Sequence, residues 1–98
     1  MKIDDIDWVD IADGELWDAF YWYEERMEGL GIQFASCVDA GLAKICRHPY
    51  IGRPVSDDVR RILIRRFPYK LYYRVLGKKI EVVGFRHNKQ DSSDIESG

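Results

Sequence analysis

The sequence of 98 residues contains no long apolar run and no apolar N-terminal segment. No stretch approaches the roughly 18 apolar residues that a membrane-spanning helix needs. The N-terminal segment carries Asp4, Asp5 and Asp7, where a secretory signal peptide would have an apolar core. We therefore expect a cytoplasmic protein without membrane contact, and the length predicts a single domain.

Cysteine is also scarce, with only Cys37 and Cys46 present. Both fall in one predicted helix, where nine residues at about 100° each place them on opposite sides, so they cannot pair there. The sequence has no CxxC motif and no Cys/His spacing typical of zinc sites. We predict two reduced cysteines in or near the core, no metal site and no cofactor.

The small net charge of −2 conceals a strong asymmetry along the chain. Residues 53–89 contain 11 Lys and Arg and three Asp and Glu, a net charge of +8. Residues 1–52 contain four cations and 11 acids, a net charge of −7, and residues 90–98 add −3. Positive charge is thus concentrated in one segment, and such a concentration favours an acidic or polyanionic partner.

Hydrophobic periodicity predicts a short first strand over residues 2–9, with Ile3 and Trp8 as its apolar members, and then two helices over residues 11–29 and 32–47. Gly29 and Gly31 indicate a tight link between the helices, and therefore an antiparallel helical hairpin. The apolar stripe of the first helix comprises Leu16, Phe20, Tyr23, Met27 and Leu30, and that of the second comprises Phe34, Val38, Leu42 and Ile45.

Three strands are predicted next, over residues 60–67, 69–76 and 79–86, with a tight turn at Gly77. In the last strand, we expect Val83 and Phe85 to face away from Ile80 and Val82. The resulting α+β fold has the order β-α-α-β-β-β, with the helical hairpin packed on one face of a mainly antiparallel four-stranded sheet. We predict one domain over residues 1–89 and a polar, disordered tail over residues 90–98. The alternative is that the acidic tail folds against the basic face.

The uncovered sheet face would present arginines, lysines and tyrosines, which suit a polyanion such as single-stranded RNA. Cations alternating along strands are also common on the solvated side of a sheet. RNA cleavage needs a base, a cation over the scissile phosphate and a proton donor, and His87 beside cations is a candidate base. The alternative is a structural or merely exposed His87. The candidate catalytic residues are Arg61, Arg86 and His87, and the candidate RNA- or target-binding residues are Arg60, Arg65, Lys70, Tyr73 and Arg74.

The first predicted helix carries five aromatic rings within two turns, which is more than one helix face can bury. One interpretation is a wide buried stripe with some amphipathic rings at the surface. The other is a surface that binds a partner protein. The five rings belong to Trp17, Phe20, Tyr21, Trp22 and Tyr23.

The chain resembles the RelE/ParE toxin superfamily over about residues 12–88. In the helical hairpin, the similarity lies in Glu15-Leu16, Ala19, Tyr23-Glu24, the Gly-Leu-Gly link and Phe34. In the later part of the chain, the matching motifs are His48-Pro49, Gly52, Arg60 or Arg61, Phe67–Tyr69, Tyr73-Arg74 and the terminal His87.

The resemblance implies a toxin of a type II toxin–antitoxin, or plasmid stabilisation, module that a cognate antitoxin neutralises. It implies one of two targets, the ribosome with its mRNA or DNA gyrase, and so either an endoribonuclease or a non-enzymatic inhibitor. The tyrosine that the RNA-cleaving branch carries near its C-terminus is missing, because no tyrosine follows Tyr73. A non-toxic relative that only binds a partner is the alternative. Trp17, Tyr21 and Trp22 are the candidate antitoxin-binding residues.

Overall fold

The computed structural model describes residues 3–96 and contains a five-stranded sheet with a helical hairpin. The strand order is β1-β5-β4-β3-β2, with β1 parallel to β5 and the other pairs antiparallel. The predicted α+β class and hairpin are confirmed, and a short strand after the hairpin raises the strand number from four to five. The elements are β1 (Asp5–Trp8), α1 (Asp10–Arg26), α2 (Leu30–Arg47), β2 (Arg53–Pro54), β3 (Arg60–Leu63), β4 (Tyr69–Leu76), β5 (Lys79–His87) and α3 (Ser93–Glu96).

The helical hairpin forms because a carboxylate replaces the missing backbone partners at the start of α2. Glu24 accepts hydrogen bonds from the backbone N–H groups of Gly29 at 3.0 Å and Gly31 at 2.9 Å. Gly29 has φ of 87°, a left-handed conformation that favours glycine. A helix N-terminus leaves its first N–H groups unsatisfied, and a carboxylate there also suits the helix dipole.

The apolar stripes predicted for the helices are largely confirmed. Phe34, Val38 and Ile45 of α2 are buried, and Leu42 packs against the same core. The stripe of α1 ends earlier than predicted, because the helix stops at Arg26 and Met27 is extended and 55% exposed. The first strand, predicted over residues 2–9, extends over Asp5–Trp8. Lys2 lies outside the described residues.

A β-bulge in β5 changes which of its side chains enter the core. Tyr72 pairs with Gly84 but the next residue, Tyr73, pairs with Val82, so Val83 is the extra residue. The bulge resets the alternation of side chains along the strand, and Ile80, Val82 and Phe85 all belong to the core cluster. The prediction that Phe85 faces away from Ile80 and Val82 is therefore wrong.

The C-terminal segment contacts the sheet through residue 96, in the part of the chain for which we predicted a disordered tail. Residues 93–96 form α3, Ser92 is buried, and Ile95 lies over Gly84, where a Cβ atom would collide with its side chain. Tyr72 is fully buried on this side of the sheet and donates a hydrogen bond to Glu96 at 2.6 Å. These residues adopt the alternative arrangement, in which the acidic tail folds against the basic face. Residues 97 and 98 lie outside the described part.

Among residues 3–96, no helix combines the length and the apolarity that crossing a bilayer requires. The two cysteines are free and half-buried.

Candidate functional site

The sheet face opposite the helical hairpin, here called the outer face, carries many of the candidate cations. Residues paired directly across antiparallel strands point to the same side of a sheet. Arg53 pairs with Arg61, Arg61 with Tyr72, Leu63 with Lys70, and Lys70 with Arg86. The outer face therefore includes Arg53, Arg61, Leu63, Lys70, Tyr72, Arg74 and Arg86.

Arg86 lies at the centre of a network that joins α1, the sheet and the C-terminal segment. Its Nε donates to Glu15 at 2.5 Å, and the other Glu15 oxygen accepts the N–H of Phe85 at 3.0 Å. Its Nη1 and Nη2 donate to the two oxygens of Asp94 at 2.9 and 3.1 Å, and Nη1 also reaches the carbonyl of Asp91 at 3.2 Å. All three guanidinium nitrogens are thus engaged, and only 13% of the side chain is exposed.

These contacts hold Arg86 and Asp94 in their ionised forms. The hydrogen bonds that Arg86 donates to Asp94 and then to Glu15 raise the pKa of Arg86, against the opposing effect of burial. In return, the hydrogen bond from Arg86 lowers the pKa of Asp94. An arginine that is bound by two carboxylates does not have its donors free for the phosphate of a substrate.

Other cations of the outer face are paired in the same way. Arg74 forms ion pairs with Glu81 and, at 3.2 Å, with Asp58, and hydrogen bonds to Glu81 and then Asp58 raise its pKa. Arg61 lies 3.7 Å from the carboxylate of Glu96. The outer face is therefore a surface of mixed charge. The net charge of +8 counted over residues 53–89 overstates how strongly this face attracts polyanions.

Arg60 and Tyr73 point to the helix side and hold the loop that follows α2. Arg60 donates to the carbonyls of Tyr50 at 3.0 Å and Gly52 at 2.9 Å. The Tyr73 hydroxyl donates to the carbonyl of Pro49 at 2.7 Å and accepts the N–H of Gly52 at 2.9 Å. Tyr73 is fully buried, and burial raises its pKa. This environment gives Arg60 and Tyr73 structural roles and does not support a role for the Tyr73 ring at an exposed surface.

His87 lies on the other side of the sheet from Arg86. It pairs with Tyr69, whose ring it meets edge-on at 5.2 Å between centroids, and its Nδ1 accepts the N–H of Lys89 at 3.0 Å. The imidazole lines a pocket of about 380 Å³ together with α1 residues that include Asp18 and Trp22. The structure therefore does not bring the three predicted catalytic residues, Arg61, Arg86 and His87, to one site.

Apart from Arg60, whose guanidinium binds backbone carbonyls, two of the predicted target-binding cations remain without an ion pair among the described residues. Lys70 is half-buried on the outer face beside Leu63, which is 66% exposed. Arg65 is exposed in the loop between β3 and β4. Together they leave an apolar and cationic area at this edge of the outer face.

The exposed rings of α1 agree with the prediction that one helix face cannot bury all five. Trp17, Tyr21 and Trp22 are 46%, 58% and 48% exposed. Phe20 and Tyr23 pack against the core. Part of the aromatic cluster is thus available to a partner.

Sequence reasoning missed Glu15 among the residues that neutralise the cations, whereas the alternative of an acidic tail on the basic face covered Asp94 and Glu96 without naming them. Glu15 is separated from Arg86 by 71 positions, so no local pattern links the two. The strongest available signal was charge, because the acidic C-terminal segment complements the basic strands. Sequence reasoning also missed Asp18 and Gln90, which join His87 at the pocket.

Comparison with known proteins agrees with the fold and with the family resemblance. The chain is 24% identical to Toxin ParE2 of Mycobacterium tuberculosis (strain CDC 1551 / Oshkosh) over 87 residues, covering 88% of this chain and 83% of that protein. The structure of the chromosomal ParDE TA system from P. aeruginosa matches with a TM-score of 0.69 at 21% identity, covering 87% of this chain and 96% of that one. The isolated E. coli RelE toxin matches with a TM-score of 0.59 at 16% identity, covering 94% and 92% of the two chains.

At these identities the two solved structures show a shared fold. The family model described as the ParE toxin of type II toxin–antitoxin system, parDE, matches residues 6–92, which is most of the chain. The protein therefore belongs to the ParE toxin family of type II toxin–antitoxin systems.

Proposed function

We propose that this protein acts in the cytoplasm as a toxin that inhibits growth by binding DNA gyrase, without cleaving RNA. Membership of a toxin–antitoxin family implies a cognate antitoxin as its second partner. The observation that carries the proposal is the separation of His87 from Arg86 by the sheet, with Arg86 bound by Glu15 and Asp94.

The separation argues against RNA cleavage for a geometric reason. A general base must lie within hydrogen-bonding reach of the proton that it removes, and a cation must lie at the phosphate that is attacked. His87 and Arg86 point to opposite sides of β5, so one phosphodiester does not reach both. No tyrosine follows Tyr73 in the sequence, so it offers no late proton donor of that type.

The charge of the outer face supports a protein target over a nucleic acid. A polyanion binds through many unpaired cations, whereas here Arg61, Arg74 and Arg86 have carboxylate partners. The area around Leu63 and Lys70 combines an exposed apolar side chain with a cation. Protein–protein interfaces have an apolar core and are enriched in arginine, so the exposed Leu63 and the exposed Arg65 of the following loop suit a protein partner. We assign this area, together with Arg65, as the candidate contact with gyrase.

Induced expression in bacteria, followed by pulse labelling, tests the proposal. DNA synthesis should fall first and an SOS response should follow, and purified protein should inhibit supercoiling by gyrase. His87→Ala should leave both effects intact, because the imidazole has no catalytic role. Lys70→Glu with Leu63→Ala should weaken inhibition about tenfold or more, while Lys78→Ala in the turn between β4 and β5 serves as a matched control.

The other candidate functions appear as distinct outcomes of the same experiment. An earlier fall in protein synthesis, abolished by His87→Ala, would overturn the proposal in favour of mRNA cleavage at the ribosome. Normal growth with folded protein accumulating would instead identify a non-toxic domain that only binds a partner.

A further inference from the structure

The exposed side of α1 combines aromatic rings with acids that the fold does not use. Glu15 and Glu24 are bound internally, to Arg86 and to the start of α2. Among the other exposed side chains of α1, three acids and three aromatic rings recur at helical spacing and form one continuous stripe. We call this the acidic–aromatic stripe, and its members are Asp10, Trp17, Asp18, Tyr21, Trp22 and Glu25.

The charged members of the stripe are all acids, and the one arginine of α1, Arg26, lies beside the stripe on the ring of Trp22. The whole of α1 contains six acids and one arginine, a net charge of −5. Within residues 3–96, Asp10, Asp18 and Glu25 have no ion-pair partner. These unpaired carboxylates surround exposed rings, so a partner that covers the rings must also supply positive charge.

The pocket beside His87 opens next to this stripe and provides an anchor point. Its volume is about 380 Å³, and Trp22, Tyr23 and Tyr69 form aromatic walls. Asp18 and His87 contribute polar groups to the lining. A pocket with aromatic walls and a carboxylate suits a lysine or arginine side chain, because the stem packs on the rings and the cation reaches the acid.

The ring of Trp22 already attracts a cation within the protein. The guanidinium carbon of Arg26 lies 3.8 Å from the centre of the indole ring. This contact shows that the ring accommodates a guanidinium group at its face. A second cation from a partner would use the same chemistry on the side that lines the pocket.

The length of the stripe indicates the kind of segment that would cover it. From Asp10 to Glu25 the helix rises about 22 Å at about 1.5 Å per residue. A partner helix of about 15 residues has the same length, and docking by the apolar side of an amphipathic helix is a recurring mode of recognition. Flanking lysines and arginines would then meet the unpaired acids.

We propose that the acidic–aromatic stripe and its pocket bind a basic amphipathic helix of the antitoxin, with one lysine or arginine side chain entering the pocket between Trp22 and Tyr69. The inference rests on membership of a toxin–antitoxin family and not on gyrase as the target. It places the antitoxin helix on the opposite side of the protein from the outer face. The antitoxin segment is thus recognised by positive charge, although the strands of this toxin are basic.

Two synthetic peptides test the chemistry of the site with the full-length protein. Both have about 20 residues and the same leucine positions, with lysine and arginine at the polar positions of one and glutamate at those of the other. Fluorescence anisotropy should show the basic peptide binding at least about tenfold more tightly, with affinity falling as salt increases. Trp22→Ala and Asp18→Lys should each weaken it about tenfold.

Ile32→Ala is the matched control, because Ile32 is 66% exposed on α2 and lies outside the stripe. Circular dichroism verifies that each variant is folded. Equal binding of the acidic peptide, or unchanged binding by Trp22→Ala, would overturn the proposal. So would light scattering that shows a dimer abolished by Trp22→Ala, because the stripe would then contact a second copy of the chain.

Co-expression tests the antitoxin as the source of the helix. The protein encoded by the gene adjacent to that of the toxin should neutralise the wild-type protein. It should fail to neutralise the double variant Asp18→Lys with Trp22→Ala, which keeps its outer face intact and should still arrest growth. Full neutralisation of the double variant would exclude this source. A wild-type protein that does not arrest growth would contradict the proposed function. The peptide measurements would still decide whether the stripe is the binding site.

Discussion

At the scale of single residues, side chains with buried or half-buried hydrogen bonds fix the loops around the core. Tyr73 and Arg60 together satisfy four backbone groups between Pro49 and Gly52. Glu24 satisfies two N–H groups at the start of α2. All three residues belong to the motifs through which the sequence resembles its family, so structural roles account for them without reference to a target.

Replacing Tyr73 with Phe should destabilise the protein by about 1–3 kcal/mol. The ring stays in place, but the carbonyl of Pro49 and the N–H of Gly52 lose a buried partner. Urea unfolding measures the change. Tyr50→Phe, at an exposed tyrosine, should change stability by less than about 0.5 kcal/mol. Equal stability of the two variants would contradict the structural role.

Replacing Glu24 with Ala should cost about 1.5–3 kcal/mol, because two charge-assisted hydrogen bonds to backbone N–H groups are lost. The matched control is Glu25→Ala, which removes the neighbouring exposed carboxylate of the same helix. Chemical denaturation of both variants gives the difference. A loss for Glu25→Ala as large as that for Glu24→Ala would show that helix propensity, and not the cap, is responsible.

At the scale of elements, a bulge and a short helix determine what the outer face presents. The bulge at Val83 keeps Phe85 in the core and turns Gly84 outward, where the absence of a side chain admits Ile95. Helix α3 then covers Tyr72 and places Asp94 on Arg86. The C-terminal segment is therefore part of the folded sheet surface.

The contact between α3 and the sheet should weaken in acid. The hydrogen bond from Arg86 lowers the pKa of Asp94 from its usual 3.8. A lowered pKa in the folded state means that the contact is fully present above about pH 3.8 and is lost as the pH falls through the lower value. Proton NMR should show the Ile95 methyl groups moving toward random-coil shifts in this range.

The variant Asp94→Asn provides the control for this titration. It removes the charge at every pH, so its Ile95 signals should already be partly shifted at pH 7 and should respond less to acid. A transition of the wild-type signals centred above pH 5 would contradict the assignment to Asp94.

At the scale of the whole molecule, opposite charges from distant parts of the chain neutralise each other. Arg86 connects Glu15 of α1 with Asp94 of α3 across the outer face. The acidic first half and the acidic C-terminal segment thus both contact the basic strands. Asp10, Asp18 and Glu25 of α1 have no ion pair within residues 3–96, and there we infer a basic partner.

Replacing Arg86 with Met should destabilise the protein by about 3 kcal/mol, because Glu15 would remain half-buried without its counter-ion. The double variant Arg86→Met with Glu15→Gln should recover part of this loss, since the uncompensated charge is gone. Thermal and urea unfolding give the free energies. Arg53→Met, an exposed arginine of the same face, is the control and should change stability by less than about 0.5 kcal/mol. Wild-type stability of Arg86→Met would exclude the network as a stabilising feature.

The order of elements, the helical hairpin and the family followed from the sequence, because each depends on local periodicity, turn residues and short motifs. The apolar stripe of α2 and the bounds of β4 are examples in which spacing alone determined the result. The roles of individual cations did not follow, because an arginine's partners are set by contacts between residues far apart in sequence.

Only the tertiary structure decided that Arg86 is bound by Glu15 and Asp94, that Arg86 and His87 lie on opposite sides of the sheet, and that the C-terminal segment folds onto it. The bulge at Val83 illustrates the reason, since one extra residue reverses the direction of every side chain beyond it. Periodicity in the sequence describes the chain locally, whereas the register between strands and the pairing of distant charges arise only when the elements pack together.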